Sequence, residues 1–253
     1  MTRRTVLVLA IASFAFAVLA LMQAWTDAPT YDEPTYVTAG LTSLTRHDLR
    51  INPQHPPLAK LVAAVPVLAL RPTIPRGPGW RTANERVLSA AFVRAQLDDG
   101  RLRAVFFAAR LLPVLEAIAA GWVIALLAGE LFGPGTAWLP GLLWLANPFV
   151  VGLGHVDGID VPFALTALVA ALAVLHARRR PSVRMATLVG VCGGLSVVTR
   201  ATGLLVVAAA VVAVVAARGA GRPRRAAVVL GTAWLTIAIV YAAIAPAAVV
   251  SHR

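Results

Sequence analysis

The sequence predicts an all-α, polytopic membrane protein with about seven transmembrane helices and with interfacial helices in a long first extracytoplasmic loop. Of its 253 residues, 59% are hydrophobic and 13% are charged, whereas a soluble domain is roughly 45–50% apolar and about 25% charged. The apolar residues form long uninterrupted blocks, and the basic residues lie between the blocks. Together these observations indicate a single transmembrane domain over residues 1–253.

The first apolar block, Val6–Met22, follows Arg3 and Arg4 and is about one bilayer long. Its end, "LMQAWTDA", is similar to a signal-peptidase site, so a cleaved signal is one interpretation. The length of the block and the spans that follow it favour an uncleaved anchor.

Residues 25–103 form a polar, proline-rich region that we predict to be the first extracytoplasmic loop. It contains two amphipathic pieces, Thr35–Leu44 and Pro57–Leu70, which are short for a membrane span and are predicted to lie along the interface. A charged stretch, Ala83–Leu97, is predicted to be a further helix of this loop.

Six more apolar blocks are predicted to cross the membrane within residues 105–250. Several are shorter than ~20 residues, so their helices would stand nearly upright or extend into flanking residues. The blocks are Val105–Gly129, Thr136–Val151, Val161–Leu175, Met185–Val198, Gly203–Ala217 and Ala226–Val250.

The arginines predict the orientation in the cell inner (plasma) membrane. Short loops rich in Arg remain cytoplasmic, and three groups fall on one side when the spans alternate: Arg3 and Arg4; Arg178, Arg179, Arg180 and Arg184; Arg218, Arg222, Arg224 and Arg225. The first loop is also basic, but loops longer than ~60 residues translocate largely regardless of charge. We therefore expect a cytoplasmic N-terminus and an extracytoplasmic C-terminal "SHR".

The formal net charge of +12 does not indicate a nucleic-acid-binding protein. The bases lie between apolar blocks, without aromatic interleaving and without a recognisable nucleic-acid module. The single cysteine, Cys192, lies inside an apolar block, so no disulfide within the chain is possible.

The predicted outer face gathers the elements of a transferase site. A carboxylate at the water–lipid boundary can take a proton from an acceptor, and cations at the same depth can hold a lipid phosphate. The candidates are the acids Asp32, Glu33, Asp157 and Asp160, the imidazoles His47, His55 and His155, and the bases Lys60, Arg110 and Arg200.

Each candidate also has a structural interpretation. Asp32 or Glu33 could begin the Thr35–Leu44 helix, and His55 could start the next one. Asp157 and Asp160 could favour a helix dipole, and Arg110 and Arg200 could be snorkelling anchors. Glu116 lies inside the second predicted span, where an ionisable residue often has a functional role. We favour the interpretation that it is a structural acid, either neutralised or paired with an arginine.

Five motifs taken in order resemble one family. They are "YDEPTYVTAG", "INPQHPPLAKLVAAVPVL", "RLRAVFFAARLLPVL" with "ELFGPG", "LANPFVVGLGHVDGIDVPFALTALVA" and "GVCGGLSVVTRATGLLVV". The chain resembles the polyprenyl-phosphate-sugar-dependent glycosyltransferases of the GT-C superfamily, bacterial relatives of dolichyl-phosphate-mannose protein mannosyltransferases and of lipid A aminoarabinose transferases. The likeness covers almost all of residues 5–220.

The resemblance implies an inverting transfer of a sugar from a polyprenyl-phosphate donor to an unknown extracytoplasmic acceptor (protein, lipid or glycan). It implies Asp32 as general base with Glu33 beside it, and Asp157 or Asp160 as a second acidic site. It places His55, Lys60, Arg110 and Arg200 near the donor phosphate. No metal ligand is assigned; a divalent metal is possible in the family, but Gln54 stands where some relatives carry a Glu that could bind one.

Two further hypotheses belong to other classes. Family members are usually longer, so the chain could be a truncated, non-catalytic subunit that needs a partner for a missing C-terminal half. A transporter is the third hypothesis, but transporters place polar groups near the bilayer midplane. Here the ionisable groups cluster at span ends, apart from Glu116.

Overall fold

The computed structural model describes residues 1–217 and 221–245 and confirms the all-α prediction, because this part contains helices and no strand. The helices are α1 Arg3–Thr26, α2 Glu33–Arg46, α3 Leu58–Leu68, α4 Pro78–Arg81, α5 Glu85–Asp98, α6 Leu102–Phe132, α7 Trp138–Leu145, α8 Pro148–Leu153, α9 Asp160–Arg179, α10 Val183–Thr199, α11 Gly203–Ala216 and α12 Arg222–Ile244. Two parts of the predictions lie outside the described residues: Arg218, one of the arginines used for the orientation, and residues 246–253, which include the end of the last predicted span.

Four described helices are long and apolar enough to cross a membrane: α1, α6, α9 and α12. They correspond to four of the seven predicted spans. The helices α10 and α11 have 17 and 14 residues, so at about 1.5 Å per residue each is shorter than a ~30 Å hydrocarbon core. Their crossing of the membrane stays a prediction.

The segment predicted as one span, Thr136–Val151, is not one continuous helix, and its crossing of the membrane stays a prediction. The segment forms two short helices, α7 and α8, because Asn147 and Pro148 start a new helix inside the apolar block. The Asn147 side chain accepts a hydrogen bond from the Phe149 N–H at 2.9 Å, and Pro148 has no N–H with which to continue α7.

The structure divides into two compact units, which we describe separately: residues 1–54 with 59–162, and residues 55–58 with the chain from 163 onward. In the first unit α1 and α6 run antiparallel, with the Trp122 indole donating to Ser13 Oγ at 3.0 Å. The broken pair α7–α8 returns along α6, where the Trp144 indole donates to the Ala117 carbonyl at 2.8 Å. The return brings residues 154–160 back to the end of the unit that holds the first loop.

The helices predicted for the first loop are present as α2, α3 and α5, and they pack together rather than remaining solvated. Val37, Leu41, Val67 and Phe92 are each fully buried in their shared core. A Cβ added at Gly40 would lie 2.1 Å from the Lys60 carbonyl, so only glycine allows α2 and α3 to approach this closely. Their position along a membrane interface stays a prediction.

In the second unit α10 packs closely on α12 and α11. Gly190 and Gly194, four residues apart, lie on one face of α10, and a Cβ at Gly190 would meet the Val229 carbonyl at 2.5 Å. Small residues at this spacing allow helices in membranes to approach closely.

Candidate active site

The centre of the candidate site is a buried ion pair between Glu33, the first residue of α2, and Arg110, in the third turn of α6. Glu33 is 0% exposed and Arg110 is 1% exposed. The two side chains form a bidentate pair, in which Arg110 Nε donates to Glu33 Oε1 at 2.8 Å and Arg110 Nη2 donates to Glu33 Oε2 at 2.8 Å. Such planar pairing is the strongest geometry available to a guanidinium and a carboxylate.

Arg110 also binds the chain that leaves α1. Its Nη1 donates to the carbonyls of Ala24 and Asp27, both at 2.9 Å, and its Nη2 donates to the Ala28 carbonyl at 3.0 Å. All five N–H donors of the guanidinium are therefore engaged by acceptors of the protein. Arg110 fixes the end of the first span to the beginning of α2.

Glu33 accepts two backbone hydrogen bonds in addition to those from Arg110. Thr30 N donates to Oε2 at 2.7 Å, and Asp157 N donates to Oε1 at 3.1 Å. Burial works to raise the pKa of Glu33, but the hydrogen bonds and the charge of Arg110 outweigh burial and hold this pKa below its ordinary value. Glu33 is thus an ionised structural acid that joins the first loop to residues 154–160.

Asp32, its neighbour in sequence, is exposed. It occupies the N-cap position of α2, and its carbonyl accepts from Thr35 N and Tyr36 N at 2.9 and 3.0 Å. Its carboxylate makes no capping hydrogen bond, so the capping interpretation holds for the backbone of Asp32 but not for its side chain. The side chain instead lines a cavity.

This cavity has a volume of about 570 Å³, within the usual range of small-molecule sites. Its polar lining consists of Thr30, Asp32, Tyr36, Asp157 and Asp160. Its apolar wall includes Phe149, Leu153, Val156 and Val161. The structure thus brings Asp32 together with both candidates for the second acidic site.

The two candidates differ in their surroundings. Asp160 is exposed and lies in the first turn of α9, where a negative charge favours the helix dipole. Asp157 is only 2% exposed, and its Oδ2 has no hydrogen-bond partner among the described residues. Burial and the nearby carboxylates Glu33 and Glu116 raise the pKa of Asp157 well above its ordinary value.

Tyr36 is a pocket residue that the sequence analysis did not single out. Its side chain is 8% exposed, and burial together with the charges of Asp32, Asp157 and Asp160 raises its pKa to about 12. Its hydroxyl therefore stays protonated at neutral pH. The signal was present in the sequence, since Tyr36 lies one helical turn beyond Asp32.

His155 joins the end of α1 to the same loop. It is 2% exposed and its Nε2 lies 3.3 Å from Asp27 Oδ2. Burial and the charge of Arg110 lower the pKa of His155 against the opposing effect of Asp27.

Glu116 lies deeper along α6, and its Oε2 is also buried without a hydrogen-bond partner among the described residues.

Lys60 belongs to a separate polar network in the first unit. Its Nζ donates to the carbonyl of Asn52 at 2.7 Å and to Asn52 Oδ1 at 3.2 Å. Glu85 accepts from the side-chain amides of Asn52 and Gln54 at 3.0 and 2.9 Å. Gln54, the position at which relatives were expected to offer a metal ligand, is thus a partner of Glu85.

His55 and Arg200 belong to the second unit. Arg200 follows α10 directly, and its guanidinium carbon lies 5.9 Å from the centre of the Phe163 ring. Within residues 1–217 and 221–245, no three His, Cys, Asp or Glu side chains are arranged to hold a metal ion.

Comparison with known proteins identifies the family. Residues 102–249 match the family described as dolichyl-phosphate-mannose-protein mannosyltransferase, a stretch of more than half the chain. It contains Arg110, Asp157, Asp160 and Arg200 and begins after the loop that carries Asp32. No curated protein and no solved structure matches the chain. On the family match, the chain belongs to the dolichyl-phosphate-mannose-protein mannosyltransferase family, of the GT-C type of membrane glycosyltransferases.

Proposed function

We propose that the protein transfers a sugar from a polyprenyl-phosphate donor to an acceptor, with inversion at the sugar carbon and with Asp32 as general base. The observation that carries the proposal is the exposed, uncapped carboxylate of Asp32 in a cavity of about 570 Å³. In such a transfer the base takes the proton of the acceptor hydroxyl or amine, and the lipid phosphate departs from the opposite side of the sugar.

The neighbouring acid has a different task in this proposal. Glu33 already accepts four hydrogen bonds, from Arg110, Thr30 N and Asp157 N. A carboxylate held in this way is a poor proton acceptor, because each of those bonds favours its charged form. We assign Glu33 and Arg110 to positioning the loop that carries Asp32.

The same reasoning narrows the choice of phosphate ligands. The donors of Arg110 are engaged by carbonyls and by Glu33, and Lys60 is 4% exposed and holds Asn52. Burial lowers the pKa of Lys60 to about 8, against the opposing charges of Glu85 and Asp157. Arg110 and Lys60 are therefore no longer proposed as ligands of the donor phosphate, and His55 and Arg200 keep only the role that the resemblance implies.

A transfer assay with the purified chain tests the proposed activity. We expect the chain in proteoliposomes to move radiolabelled mannose from a polyprenyl-phosphate carrier into membrane acceptors or water. The family suggests mannose as the first donor to try. A chain that transfers only after a second subunit is added would instead support the non-catalytic alternative. Uptake of the sugar into the vesicle lumen without transfer would support a transporter.

The proposed location of the site on the extracytoplasmic face has its own test. Tyr31, next to Asp32, is 75% exposed, whereas the native Cys192 is buried. We expect Tyr31→Cys to react with a membrane-impermeant maleimide in intact cells. The matched control is Arg180→Cys, at an exposed position between α9 and α10 that is predicted to be cytoplasmic; it should react only after permeabilisation. The reverse pattern would place the cavity in the cytoplasm and exclude the proposal.

A further inference from the structure

Asp157 is the buried acid that the proposed reaction does not yet use. It lines the same cavity as Asp32, its side chain is 2% exposed, and its Oδ2 has no hydrogen-bond partner among the described residues. Buried polar atoms in folded proteins almost always have a partner. Asp157 lines the cavity, so a group bound there can supply a hydrogen-bond partner to its carboxyl.

The charge of Arg110 is matched without Asp157, because Arg110 is paired with Glu33 and its five N–H donors are engaged. The Lys60 ammonium donates to Asn52, and Asp157 Oδ2 has no hydrogen-bond partner among the described residues. An ionised carboxylate buried without a donor to this oxygen costs far more than taking up a proton.

The electrostatic environment agrees with a protonated side chain. Burial, Glu33 of α2 and Glu116 of α6 raise the pKa of Asp157, and Arg110 of α6 and Lys60 of α3 oppose them with a smaller effect. Further titratable groups among the described residues at this end of the unit include Asp27, Asp32, Tyr36, His155 and Asp160. A protonated carboxyl offers one O–H donor.

The cavity itself disfavours anions. Among the described residues that line it are Asp32, Asp157 and Asp160 and no lysine or arginine. The exposed carboxylate of Asp32 repels a phosphate and leaves an uncharged group unaffected.

We propose that Asp157 is a neutral hydrogen-bond donor that binds an uncharged, hydroxyl-bearing group in this cavity, next to the carboxylate of Asp32. The oxygen of that hydroxyl accepts from Asp157, and its proton is directed at Asp32. The inference rests on the proposed role of Asp32 and adds to it a binding residue and a substrate class.

Two substitutions at Asp157 test the donor role. Asp157→Asn retains an N–H donor and the shape of the side chain, and Asp157→Leu retains a similar volume without a donor. We expect Asp157→Leu to raise the KM for the hydroxyl-bearing acceptor by about 3- to 10-fold, as the loss of one neutral hydrogen bond does. Asp157→Asn should raise this KM less. Both variants should keep the wild-type unfolding temperature in detergent.

The pH dependence gives a readout that a purely structural role would not change. A group whose pKa is raised stays protonated to higher pH, so wild-type binding should weaken as the pH rises through the pKa of Asp157. The amide of Asp157→Asn cannot lose a proton in this range, so that variant should lack the high-pH rise in KM. The matched control is Asp160→Asn, which lines the same cavity from an exposed position and should retain the rise.

Competition with small probes tests the substrate class. A neutral methyl mannoside should inhibit transfer, and Asp157→Leu should weaken this inhibition. The corresponding mannose phosphate resembles the proposed donor, so its inhibition should be the same in Asp157→Leu and in the wild type. An unchanged high-pH rise in Asp157→Asn, or inhibition by the neutral probe that Asp157→Leu leaves unchanged, would overturn the inference and leave the proposed function standing. Full transfer by Asp32→Asn would overturn the proposed function instead.

Discussion

Asp32→Asn is expected to lower the rate of sugar transfer by about 10²–10⁴-fold, the usual contribution of a positioned general base. The amide has the size of the carboxylate but cannot take a proton. The fold should be unaffected, because the Asp32 side chain is exposed and makes no capping hydrogen bond. The measurement is the initial rate of transfer of radiolabelled mannose by equal amounts of purified, monodisperse protein.

The matched control for this variant is Asp98→Asn. Asp98 is an exposed acid at the end of α5, in the same predicted loop, so its replacement removes one negative charge from the same region. We expect Asp98→Asn to transfer at the wild-type rate. A rate for Asp32→Asn within a few-fold of the control would remove Asp32 from the reaction, and the base would have to be sought among the other carboxylates of the cavity.

Arg110→Met is expected to destabilise the protein by about 3–5 kcal/mol, the usual effect of removing one member of a buried ion pair. The substitution leaves the Glu33 carboxylate ionised, buried and without its counter-ion. It also removes the donors to the carbonyls of Ala24, Asp27 and Ala28. The measurement is the free energy of unfolding in mixed detergent micelles.

The double variant Arg110→Met with Glu33→Gln separates the charge from the packing. Glutamine carries no charge and keeps one carbonyl oxygen, which can take the place of the carboxylate oxygen bound by Thr30 N or of the one bound by Asp157 N. We expect the double variant to be more stable than Arg110→Met alone, because no uncompensated charge remains in it. If instead the second substitution destabilises Arg110→Met further, the pair is not the source of the stability, and Glu33 acts chiefly as an acceptor for the backbone.

Composition was sufficient to predict the all-α fold class, because a membrane-spanning helix requires a long apolar segment that is visible in the sequence. Uninterrupted apolar blocks predicted α1, α6, α9 and α12 within a few residues of their ends. The break within Thr136–Val151, which hydropathy did not predict, lies where the block is equally apolar but contains Asn147 and Pro148. Local backbone chemistry ended the helix there, although hydropathy did not change.

The candidate site could be predicted only in part. The sequence places Asp32 and Glu33 side by side and gives no means of telling which is buried. That distinction depends on Arg110, 77 residues further along the chain, and on the backbone of Asp157, 124 residues from Glu33. Contacts over such distances leave no periodicity or local motif, so Arg110 was expected to bind phosphate rather than the protein itself.

The hydrogen bonds from Arg110 to the carbonyls of Ala24, Asp27 and Ala28, here called the clamp, have a consequence for biosynthesis. The carbonyls that it binds, beginning with Ala24, are made 86 residues before it, so the ribosome completes the first span and the whole loop before the clamp exists. We expect the loop that begins at Asp27 to acquire its fixed place only when α6 lies beside α1. The chain before α6 lacks the guanidinium that holds the carbonyls of Ala24, Asp27 and Ala28.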